Sequence, residues 1–453
     1  MECKIVRIKS ILNLCSYLVG LFIMYYRTHK KNIDVLFFVE HKDRELEIAV
    51  SLTKLLEAKG FNVGVASSVY HQIPTLLTAE PKVLITPFTG FGKGSVSELF
   101  YSVYGESITY INLNYEQFIS SWKGSYKTSI HEFSKSKQIQ FVWGKYFKDE
   151  LIKNGVNGDN IFITGRPSLS LTSSQYSNLP RNNLEELYPS FRNMKVCFIA
   201  LTDGLAFIGD EKIEFIVKNG GEREGLEAHV DYIKKNIASL FQEIVIEAEK
   251  NKNVMFVMRP HPSIPETAYF SLFNELGLNI PVNVLVTKDK NAFWWLAYSD
   301  WYITNYSTLC LEANILGVKS YLFEKHPNKN IESYWYTSSA IKIDSLSYAL
   351  QCKSSDIQTE HSESNYFIDF NRNGLLETER QISFRVLDNK VLIKSSKLKV
   401  LFLNSRRMLG SIIRNIYAKM GFVPFGKLSK GLIKDHFTAS DVVKLKGSIN
   451  NEF

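Results

Sequence analysis

The sequence predicts an α/β protein of two domains, each built on an open parallel β-sheet with helices on both faces. The chain has 453 residues, whereas single domains rarely exceed about 250–300 residues. Apolar runs of strand length alternate with amphipathic segments of helix length, which is typical of parallel sheets. A polar, serine-rich stretch after Pro167 interrupts this alternation, which begins again near residue 195.

The first domain is predicted to cover residues 32–167. The run 33–39 (IDVLFFV) is apolar almost throughout and predicts a buried strand. The segment 46–58 has the apolar spacing of a helix and stops at Gly60. Further strands are predicted at 62–66, 82–86, 109–113, 139–143 and 161–164.

After a linker at 168–194, the second domain is predicted at 195–355. Its predicted strands are 195–200, 253–258, 282–286, 301–304 and 319–323. Its predicted helices are 228–250, a segment ending near Gly277, 291–298 and 307–316. Open parallel sheets carry their functional loops at the carboxyl ends of the strands. If the two sheets face each other, a ligand would bind in the cleft between them, although this architecture does not name a reaction.

Positive charge is concentrated near both ends of the chain, at 1–31 and in the extension 356–453. Between Lys394 and Lys446 there are twelve basic and two acidic residues, a net +10, against +8 for the whole chain. The uncharged run 11–26 is shorter than the roughly 20 residues that span a bilayer. Basic residues flank it, which favours a peripheral anchor at an anionic inner-leaflet surface. The alternative is a helix buried against the body of the protein.

Within the basic tail, apolar side chains recur every four residues at Met408, Ile412, Ile416 and Met420. This spacing predicts a basic amphipathic helix. The tail could instead cross back and pack on the first domain. Membrane binding and packing are compatible if one face of the helix packs on the domain while the other face remains basic. We therefore expect a cytoplasmic protein, peripheral on the inner face of the cytoplasmic membrane. The near-neutral middle of the chain gives no sign of a nucleic-acid partner.

The five cysteines favour a reducing, cytoplasmic setting. Their number is odd and no two have the CxxC spacing. Neither a disulfide framework nor a zinc site is therefore predicted.

The segment Arg259-Pro260-His261-Pro262 directly follows the strand predicted at 253–258. The prolines fix the backbone on both sides of His261 and restrict the residues that precede them. An imidazole held rigidly beside a guanidinium suits a phosphate oxygen, because these donors need little reorganisation. The alternative is a turn in which His261 only caps the next helix.

The segment Thr304-Asn305-Tyr306-Ser307-Thr308 also follows a strand and begins a helix. Ser307 is a favourable N-cap, and the N–H groups of a first helical turn favour an anion. Glu312 lies four residues after Thr308 and shares its helix face. Hydroxyls here could bind a phosphate, and a carboxylate one turn further could bind ribose. The alternative is an ordinary capped helix with a solvated Glu312.

Two more strand-end loops are candidates for the donor side of the cleft. Gly165 permits close backbone approach, and Arg166 could reach the cleft. An interdomain hinge explains these two residues equally well. Asp203 and Gly204 follow the first strand of the second domain and could contact a phosphate.

Three segments, ITGRP, VMRPHPS and SDWYITNYSTLCLEANILGVKSYLF, occur in this order. They resemble the bacterial surface-carbohydrate (capsule and lipopolysaccharide) biosynthesis proteins, GT-B glycosyltransferases related to Kdo transferases and bacterial polysialyltransferases. The early segments VEHKDRELEIAVSLTKLLEAKGFNV and QFVWGKYFKDELIKNGV resemble the same family. The resemblance spans roughly 33–325. It implies two Rossmann-like domains facing across a cleft, the GT-B arrangement.

The resemblance also implies roles for individual residues. In such families the His-Pro pair and the hydroxyl helix start bind the phosphate of the donor, which implies this role for His261, Ser307 and Thr308. A ribose-binding role is implied for Glu312. Where the family often has Gly-Asn-Pro-Arg, this chain has Gly165-Arg166-Pro167-Ser168.

The catalytic base is less well defined by the sequence. The family often has paired acids in the first domain, where this chain has only Glu116, so the resemblance makes Glu116 the candidate base. A carboxylate in the cleft can deprotonate a sugar hydroxyl, whereas Glu116 could also be a surface residue at a helix start. The loop 40–45 offers further acids, Asp43 and Glu45, which could simply balance a helix dipole. The glycine-rich loop 89–95 lacks Walker A spacing and is interpreted as a flexible acceptor-side loop.

These observations predict an inverting glycosyltransferase that uses a nucleotide-sugar donor, with CMP-sugars favoured, and a polysaccharide or lipid-linked acceptor. No Asp-x-Asp pair occurs, so no metal and no cofactor are predicted, and Arg, His and Ser donors would stabilise the leaving phosphate. One alternative is a CDP-polyol phosphotransferase of the teichoic-acid type, which shares the Thr-Asn-Tyr-Ser-Thr segment and a histidine before proline. Another is a non-catalytic polysaccharide assembly or binding factor.

Overall fold

The computed structural model confirms the predicted fold class, with two six-stranded parallel sheets in separate Rossmann-like domains. The structure describes residues 31–88, 95–117, 130–202, 204, 206–207, 209–218, 222–261, 264–328, 337, 340–352, 364–388 and 435–449. The apolar run 11–26, most of the glycine-rich loop, Asp203, Pro262 and the predicted tail helix lie outside the described residues.

The first sheet has the strand order β2-β1-β3-β4-β5-β6, and every pairing in it is parallel. The inner strand β1 is buried on both faces from Val35 to Val39, which explains why this part of its sequence is apolar throughout rather than alternating. The strands are β1 (Lys31–Val39), β2 (Val63–Ser67), β3 (Ala79–Thr86), β4 (Thr109–Asn112), β5 (Ile139–Val142) and β6 (Ile161–Ile163).

Helices cover this sheet on both faces, as predicted. A π-helical turn at Lys42–Leu46 leads from β1 into the first helix. The helices are α1 (Glu47–Ala58), α2 (Gln72–Thr78), α3 (Val96–Tyr104), α4 (Glu132–Ser136) and α5 (Lys145–Lys153).

The second sheet has the order β9-β8-β7-β10-β11-β12. Counted within the domain this is 3-2-1-4-5-6, the order that binds nucleotides in the crevice where the strand order reverses. Here that point lies between β7 and β10, which are paired neighbours. The strands are β7 (Lys195–Ala200), β8 (Val254–Arg259), β9 (Val284–Val286), β10 (Trp301–Thr304), β11 (Lys319–Phe323) and β12 (Ile341–Ile343).

Two helices of the second domain begin with a side-chain N-cap, from Glu222 and Asn291. The longest starts five residues before its predicted beginning, because the Glu222 carboxylate accepts the N–H groups of Glu224 and Gly225. The helices are α8 (Asp210–Lys218), α9 (Arg223–Lys250), α10 (Glu266–Glu275), α11 (Ala292–Ala297), α12 (Leu309–Ile315) and α13 (Leu346–Gln351).

The predicted linker 168–194 is largely helical. Helix α6 (Pro167–Tyr176) begins with a proline at its first turn, where a missing N–H costs nothing, and α7 (Arg181–Leu187) follows. Helix α6 packs against α1 of the first domain and against α11 and α12 of the second. It is therefore a buried connection that contacts both domains.

The end of the chain returns to the first domain. After α14 (Ser364–Phe367), helix α15 (Gly374–Asp388) packs on α1 and α6. The last described segment, with α16 (Ala439–Ser448), buries Phe437 and Ile449 in the core of the first domain. Of the basic tail, the structure describes only the end, and the packing of 435–449 on the first domain agrees with the alternative in which the tail crosses back. No helix among the described residues is long and apolar enough to cross a membrane.

A buried ion pair joins the two domains. Nη2 of Arg166, at the start of α6, lies 2.6 Å from Oε1 of Glu312 in α12. The Ser168 hydroxyl donates to the same carboxylate at 3.1 Å, and the Arg166 guanidinium stacks on Trp143, 4.7 Å from the ring centre. Burial raises the pKa of Glu312, and Arg166 opposes the shift. This pair fixes the second domain against the helix that leaves the first.

Three polar side chains make a second contact between the domains. The Tyr176 hydroxyl donates to Glu47 at 2.7 Å. The Asn291 amide of the second domain donates to Glu47 at 3.1 Å and to the Tyr176 oxygen at 2.7 Å. Because Glu47 begins α1 and Asn291 precedes α11, this contact joins strand-end loops of the two sheets.

Removing one partner of the buried ion pair should destabilise the protein strongly. We expect Glu312→Ala to lower the free energy of unfolding by about 3–5 kcal/mol, because Arg166 is left buried without a counter-charge. The double replacement Arg166→Met with Glu312→Leu should cost clearly less than the sum of Arg166→Met and Glu312→Leu made separately. Urea unfolding followed by circular dichroism measures all four variants.

The exposed pair Asp231–Lys235 on α9 supplies the control. Asp231→Ala should change stability by less than about 1 kcal/mol. Additive effects of the two buried substitutions would contradict the coupling between Arg166 and Glu312.

Candidate active site

Three loops of the second domain meet at one edge of its sheet. Strand β7 pairs with both β8 and β10 in parallel, so the carboxyl ends of these three strands are neighbours. They carry the predicted donor-binding loops around Asp203, Arg259 and Asn305. The structure therefore brings these loops together at the point where the strand order reverses.

Asn305 links two of these loops. Its Oδ1 accepts the N–H of Thr202 at 2.8 Å, and its Nδ2 donates to the Thr202 carbonyl at 3.2 Å. The side chain thus holds the loop that continues to Gly204 against the loop that begins α12. These two hydrogen bonds show that Asn305 positions the backbone of the loop. Whether it also contacts a donor stays a prediction.

The two hydroxyls at the start of α12 lie at this same edge. Thr308 occupies the N-cap position, one residue later than predicted, while the Ser307 Oγ accepts the N–H of Leu309 at 3.3 Å. Both side chains are only partly buried. The Ser307 and Thr308 side chains therefore lie at the edge of the sheet and remain partly exposed to solvent.

Glu312, one turn further along, faces away from solvent. It is fully buried and its Oε1 contacts Arg166 and Ser168, whereas its Oε2 has no hydrogen-bond partner within the described part of the chain. Arg166 and Glu312 were predicted separately as donor-binding residues, and the structure brings them into contact with each other. The alternative of a solvated Glu312 is wrong, and its predicted ribose contact stays a prediction.

Gly165 is required by the backbone. Its φ of +78° lies in the left-handed region, and an added Cβ would come within 3.3 Å of Arg372 and of the Asp369 carbonyl. Gly165 therefore lets the chain turn tightly beneath the returning C-terminal segment.

Arg259 ends β8 and is almost completely buried. Its Nε donates to the Lys290 carbonyl at 3.2 Å. Burial lowers the pKa of Arg259, and Asp43 of the first domain opposes the shift. Lys290 precedes Asn291, which donates to Glu47 of the first domain. Arg259 therefore lies next to a contact between the two domains.

His261 lies two residues after Arg259 and is partly buried. Its carbonyl accepts the N–H of Ile264 at 2.8 Å, which closes a tight turn. This turn and the two prolines in the sequence hold the position of the imidazole.

On the first domain, Glu45 organises the loop after β1. It is 2% exposed, and its Oε2 accepts the N–H groups of Glu40 at 2.7 Å and His41 at 3.3 Å. Burial raises the pKa of Glu45 from 4.5 to about 7, against the opposing effect of Arg44. Glu45 therefore holds the loop backbone from the buried side and is not exposed to the cleft.

Glu116 lies on the loop after β4 and is exposed. Its carboxylate forms an ion pair and hydrogen bond with Arg44. The loops after β1 and β4 are thereby joined. The role of Glu116 as a base stays a prediction.

Asp435 is a member of this site that the sequence analysis missed. It is 5% exposed, and its Oδ1 accepts the Lys42 N–H at 3.1 Å. Its Oδ2 lies 3.4 Å from Nδ1 of His41. The two residues are 394 positions apart, so no local pattern could have indicated their contact.

The two sides of the site differ in chemistry. The first domain contributes groups that can take or hold a proton, and the second contributes a buried guanidinium, an imidazole and hydroxyls. Within the described ranges, no group of three or more His, Cys, Asp or Glu side chains could hold a metal ion.

No protein-family model and no curated protein matches this chain. Similar solved structures include the UDP-GlcNAc 2-epimerases of Methanocaldococcus jannaschii and Neisseria meningitidis, each at 12% identity and a TM-score of 0.49. These alignments cover 78% and 79% of this chain and 100% of both other chains. The wall teichoic acid polymerase TagF is similar at 11% identity and a TM-score of 0.47, over 84% of this chain and 98% of that chain. At such identities the likeness concerns the fold alone.

The raised pKa of Glu45 predicts a pH-dependent stability. The folded protein favours neutral Glu45, so this stabilisation is present in full below pH 4.5 and is lost as pH rises through about 7. Glu45→Gln keeps an acceptor for the two N–H groups and cannot ionise. Its free energy of unfolding should rise relative to wild type between pH 5 and pH 8, by at most about 3 kcal/mol.

Urea unfolding at several pH values measures this difference. Glu132, an exposed carboxylate whose pKa is lowered by its hydrogen bond with Lys135, provides the control. Glu132→Gln should show no such trend over the same range. A constant difference between Glu45→Gln and wild type would mean that Glu45 does not titrate there.

Proposed function

We propose that this chain is a GT-B glycosyltransferase that transfers a sugar, with inversion and without a metal, from a nucleotide-activated donor. The acceptor is a growing surface polysaccharide, of the capsule or lipopolysaccharide, or a lipid-linked precursor of it. The observation that carries this proposal is the contact between strand-end loops of the two sheets, in which Asn291 donates to Glu47 directly after Lys290, whose carbonyl accepts the Nε of Arg259. It supports a cleft in which proton-accepting groups of one sheet face phosphate-binding groups of the other.

The second domain would bind the donor. Its 3-2-1-4-5-6 strand order offers a nucleotide crevice between β7 and β10. Arg259 and His261, together with Ser307 and Thr308, would bind the phosphate and take up charge as the nucleotide departs. Arg259 suits this task, because a buried guanidinium keeps its charge and meets phosphate oxygens in a fixed geometry.

The first domain would bind the acceptor. A base in this domain removes the proton of the acceptor hydroxyl while its oxygen forms a bond to the anomeric carbon. The bond between that carbon and the phosphate oxygen breaks in the same displacement, and the nucleotide leaves with the electron pair. One displacement inverts the anomeric configuration. CMP-sugars are the favoured donors, on the sequence resemblance to Kdo transferases and polysialyltransferases.

A second candidate is a CDP-polyol phosphotransferase of the teichoic-acid type. It is favoured by the Thr304–Thr308 segment and by a histidine before a proline, both of which those enzymes share in sequence. The same cleft would then transfer a polyol phosphate, and the bond broken would be the one within the diphosphate. A non-catalytic assembly or binding factor is the remaining alternative.

A donor screen tests this proposal. We expect release of CMP from a CMP-sugar in the presence of acceptor, and this should continue in EDTA. We also expect His261→Ala to lower kcat by well over threefold, a change above about 1 kcal/mol in the barrier. CMP should raise the melting temperature of both proteins, because a ligand at 100 times its Kd adds about 2.7 kcal/mol.

Lys252→Ala is the matched control, since Lys252 is exposed at the opposite end of strand β8. Release of CMP from CDP-glycerol alone would favour the phosphotransferase. Binding of nucleotides without any turnover would favour the assembly factor. Loss of activity in EDTA, restored by Mg²⁺ or Mn²⁺, would overturn the metal-free mechanism.

We further propose that the protein works at the anionic inner-leaflet surface of the cytoplasmic membrane. Both segments predicted to bind lipid adjoin the first domain, because β1 begins at Lys31 and the tail lies between α15 and Asp435. The stretch 389–434 carries eleven basic and no acidic residues. Just before it, α15 exposes Phe384 and Leu387. This arrangement would place lipid-linked acceptors beside the acceptor domain.

The membrane proposal predicts that the full chain sediments with anionic liposomes. Basic segments near such a surface contribute about 1 kcal/mol per residue, and salt should weaken their share. Deleting residues 1–30, which spares the strand pairing of Lys31, should release much of the protein without unfolding it. Neutral liposomes are the control, and a protein that stays in the supernatant with anionic lipid at low salt contradicts the proposal.

A further inference from the structure

The segment 435–449 is an integral part of the first domain. Phe437 and Ile449 are buried in its core. Lys54 donates to the Ile449 carbonyl at 2.5 Å, and a capping box between Thr438 and Asp441 begins α16. The start of this segment, at Asp435, is therefore held firmly in place.

Asp435 fixes both the backbone and the ring at the carboxyl end of β1. One carboxylate oxygen accepts the Lys42 N–H and the other faces Nδ1 of His41. A buried carboxylate in this position favours the tautomer that carries its proton on Nδ1. The other ring nitrogen, Nε2, then has the lone pair that a base needs.

His41 is placed to use that nitrogen in the cleft. Its side chain is 36% exposed, whereas that of Asp435 is 6% exposed. The same loop continues into Glu47, which accepts the amide of Asn291 of the second domain at 3.1 Å. The neighbouring Lys290 carbonyl accepts the Nε of Arg259, so the loop that carries His41 leads to the half of the cleft where the donor phosphate would bind.

The neighbouring carboxylates are engaged in other contacts. Glu116 is paired with Arg44, and Glu45 is buried on two backbone N–H groups. Glu40 lies 4.0 Å from the His41 Nε2. A partly exposed imidazole with one ring nitrogen held by a buried carboxylate is the arrangement of an activated base.

We propose that His41 is the general base of the transfer reaction and that Asp435 is the residue that positions it. This inference rests on the proposed function. The acceptor hydroxyl gives its proton to Nε2 of His41 as its oxygen bonds to the anomeric carbon. The bond from that carbon to the phosphate oxygen breaks, the nucleotide leaves with the electron pair, and the imidazolium later releases its proton to water.

The charges around His41 give this proposal a pH signature. The Asp435 hydrogen bond raises the pKa of His41, and burial and Arg44 oppose it. The charged groups that face the ring and its loop are Glu40, Arg44, Glu45, Glu116 and Asp435. Since the base must be neutral, the rate should rise with pH through the raised pKa of His41. Replacing Asp435 should move that acidic limb to lower pH.

The test is a series of pH profiles of kcat, from pH 5 to 9, with the donor that the wild-type chain uses. We expect His41→Gln to lower kcat by about 100-fold or more while the thermal shift caused by CMP is unchanged. We expect Asp435→Asn, which can still accept the Lys42 N–H, to lower kcat by about tenfold or more and to shift the acidic limb down. Lys444→Ala, exposed on the same segment, should behave as wild type.

Three outcomes overturn the assignment. One is a His41→Gln kcat within threefold of wild type. The second is a uniform loss in Asp435→Asn with an unmoved acidic limb, which indicates a structural role only. The third is a larger loss in Glu116→Gln than in His41→Gln, which transfers the role of base to Glu116. In each of these cases wild-type turnover persists, so the proposed function stands.

A readout without turnover tests the pairing itself. Titration of the His41 ring by NMR should give a lower pKa in Asp435→Asn than in wild type, and an equal pKa would overturn the role of Asp435. If the wild-type chain releases no nucleotide from any donor, the proposed function and the base assignment both fail.

Discussion

The arrangement of the whole molecule depends on one buried ion pair, between Arg166 and Glu312. Each group would be strongly destabilising alone in this apolar environment, and together they are tolerated only in close contact. Arg166 ends the first domain and Glu312 lies one turn inside helix α12, which begins beside the proposed nucleotide crevice. The pair therefore ties helix α12 of the second domain to the first domain. The hydrogen bond between Asn291 and Glu47 holds the two domains in the same relative orientation, between the loops that follow β9 and β1.

The C-terminal part of the chain returns to the first domain and packs closely against it. Glycines let it approach closely, since a Cβ at Gly144 would lie 2.5 Å from the Phe367 backbone and one at Gly374 would lie 2.6 Å from that of Arg166. The same return brings Asp435 to the carboxyl end of β1. The last described segment of the chain is thus part of the wall of the cleft, so folding of the end of the chain and formation of the site are coupled.

Burial divides the chemistry of the cleft between its two sides. On the first domain, burial raises the pKa of Glu40, and it raises that of Glu45 to about 7. On the second, burial lowers the pKa of Arg259, yet a guanidinium remains charged at any physiological pH. The loops of the first domain therefore carry titratable groups, whereas the second domain carries a permanent cation. This difference agrees with the proposed transfer from a phosphate to a hydroxyl.

The sequence by itself determined the described strands other than β12, their alternation with helices and the loops after β7, β8 and β10, because these follow from apolar periodicity and turn residues within a few positions. It located Arg259, His261 and Ser307 at strand ends for the same reason. Only the tertiary structure decided that Arg166 pairs with Glu312, that Asn305 binds the Thr202 backbone and that Asp435 faces His41. Such contacts join residues that are about a hundred or more positions apart. They depend on how whole elements pack, and no local spacing in the chain records them.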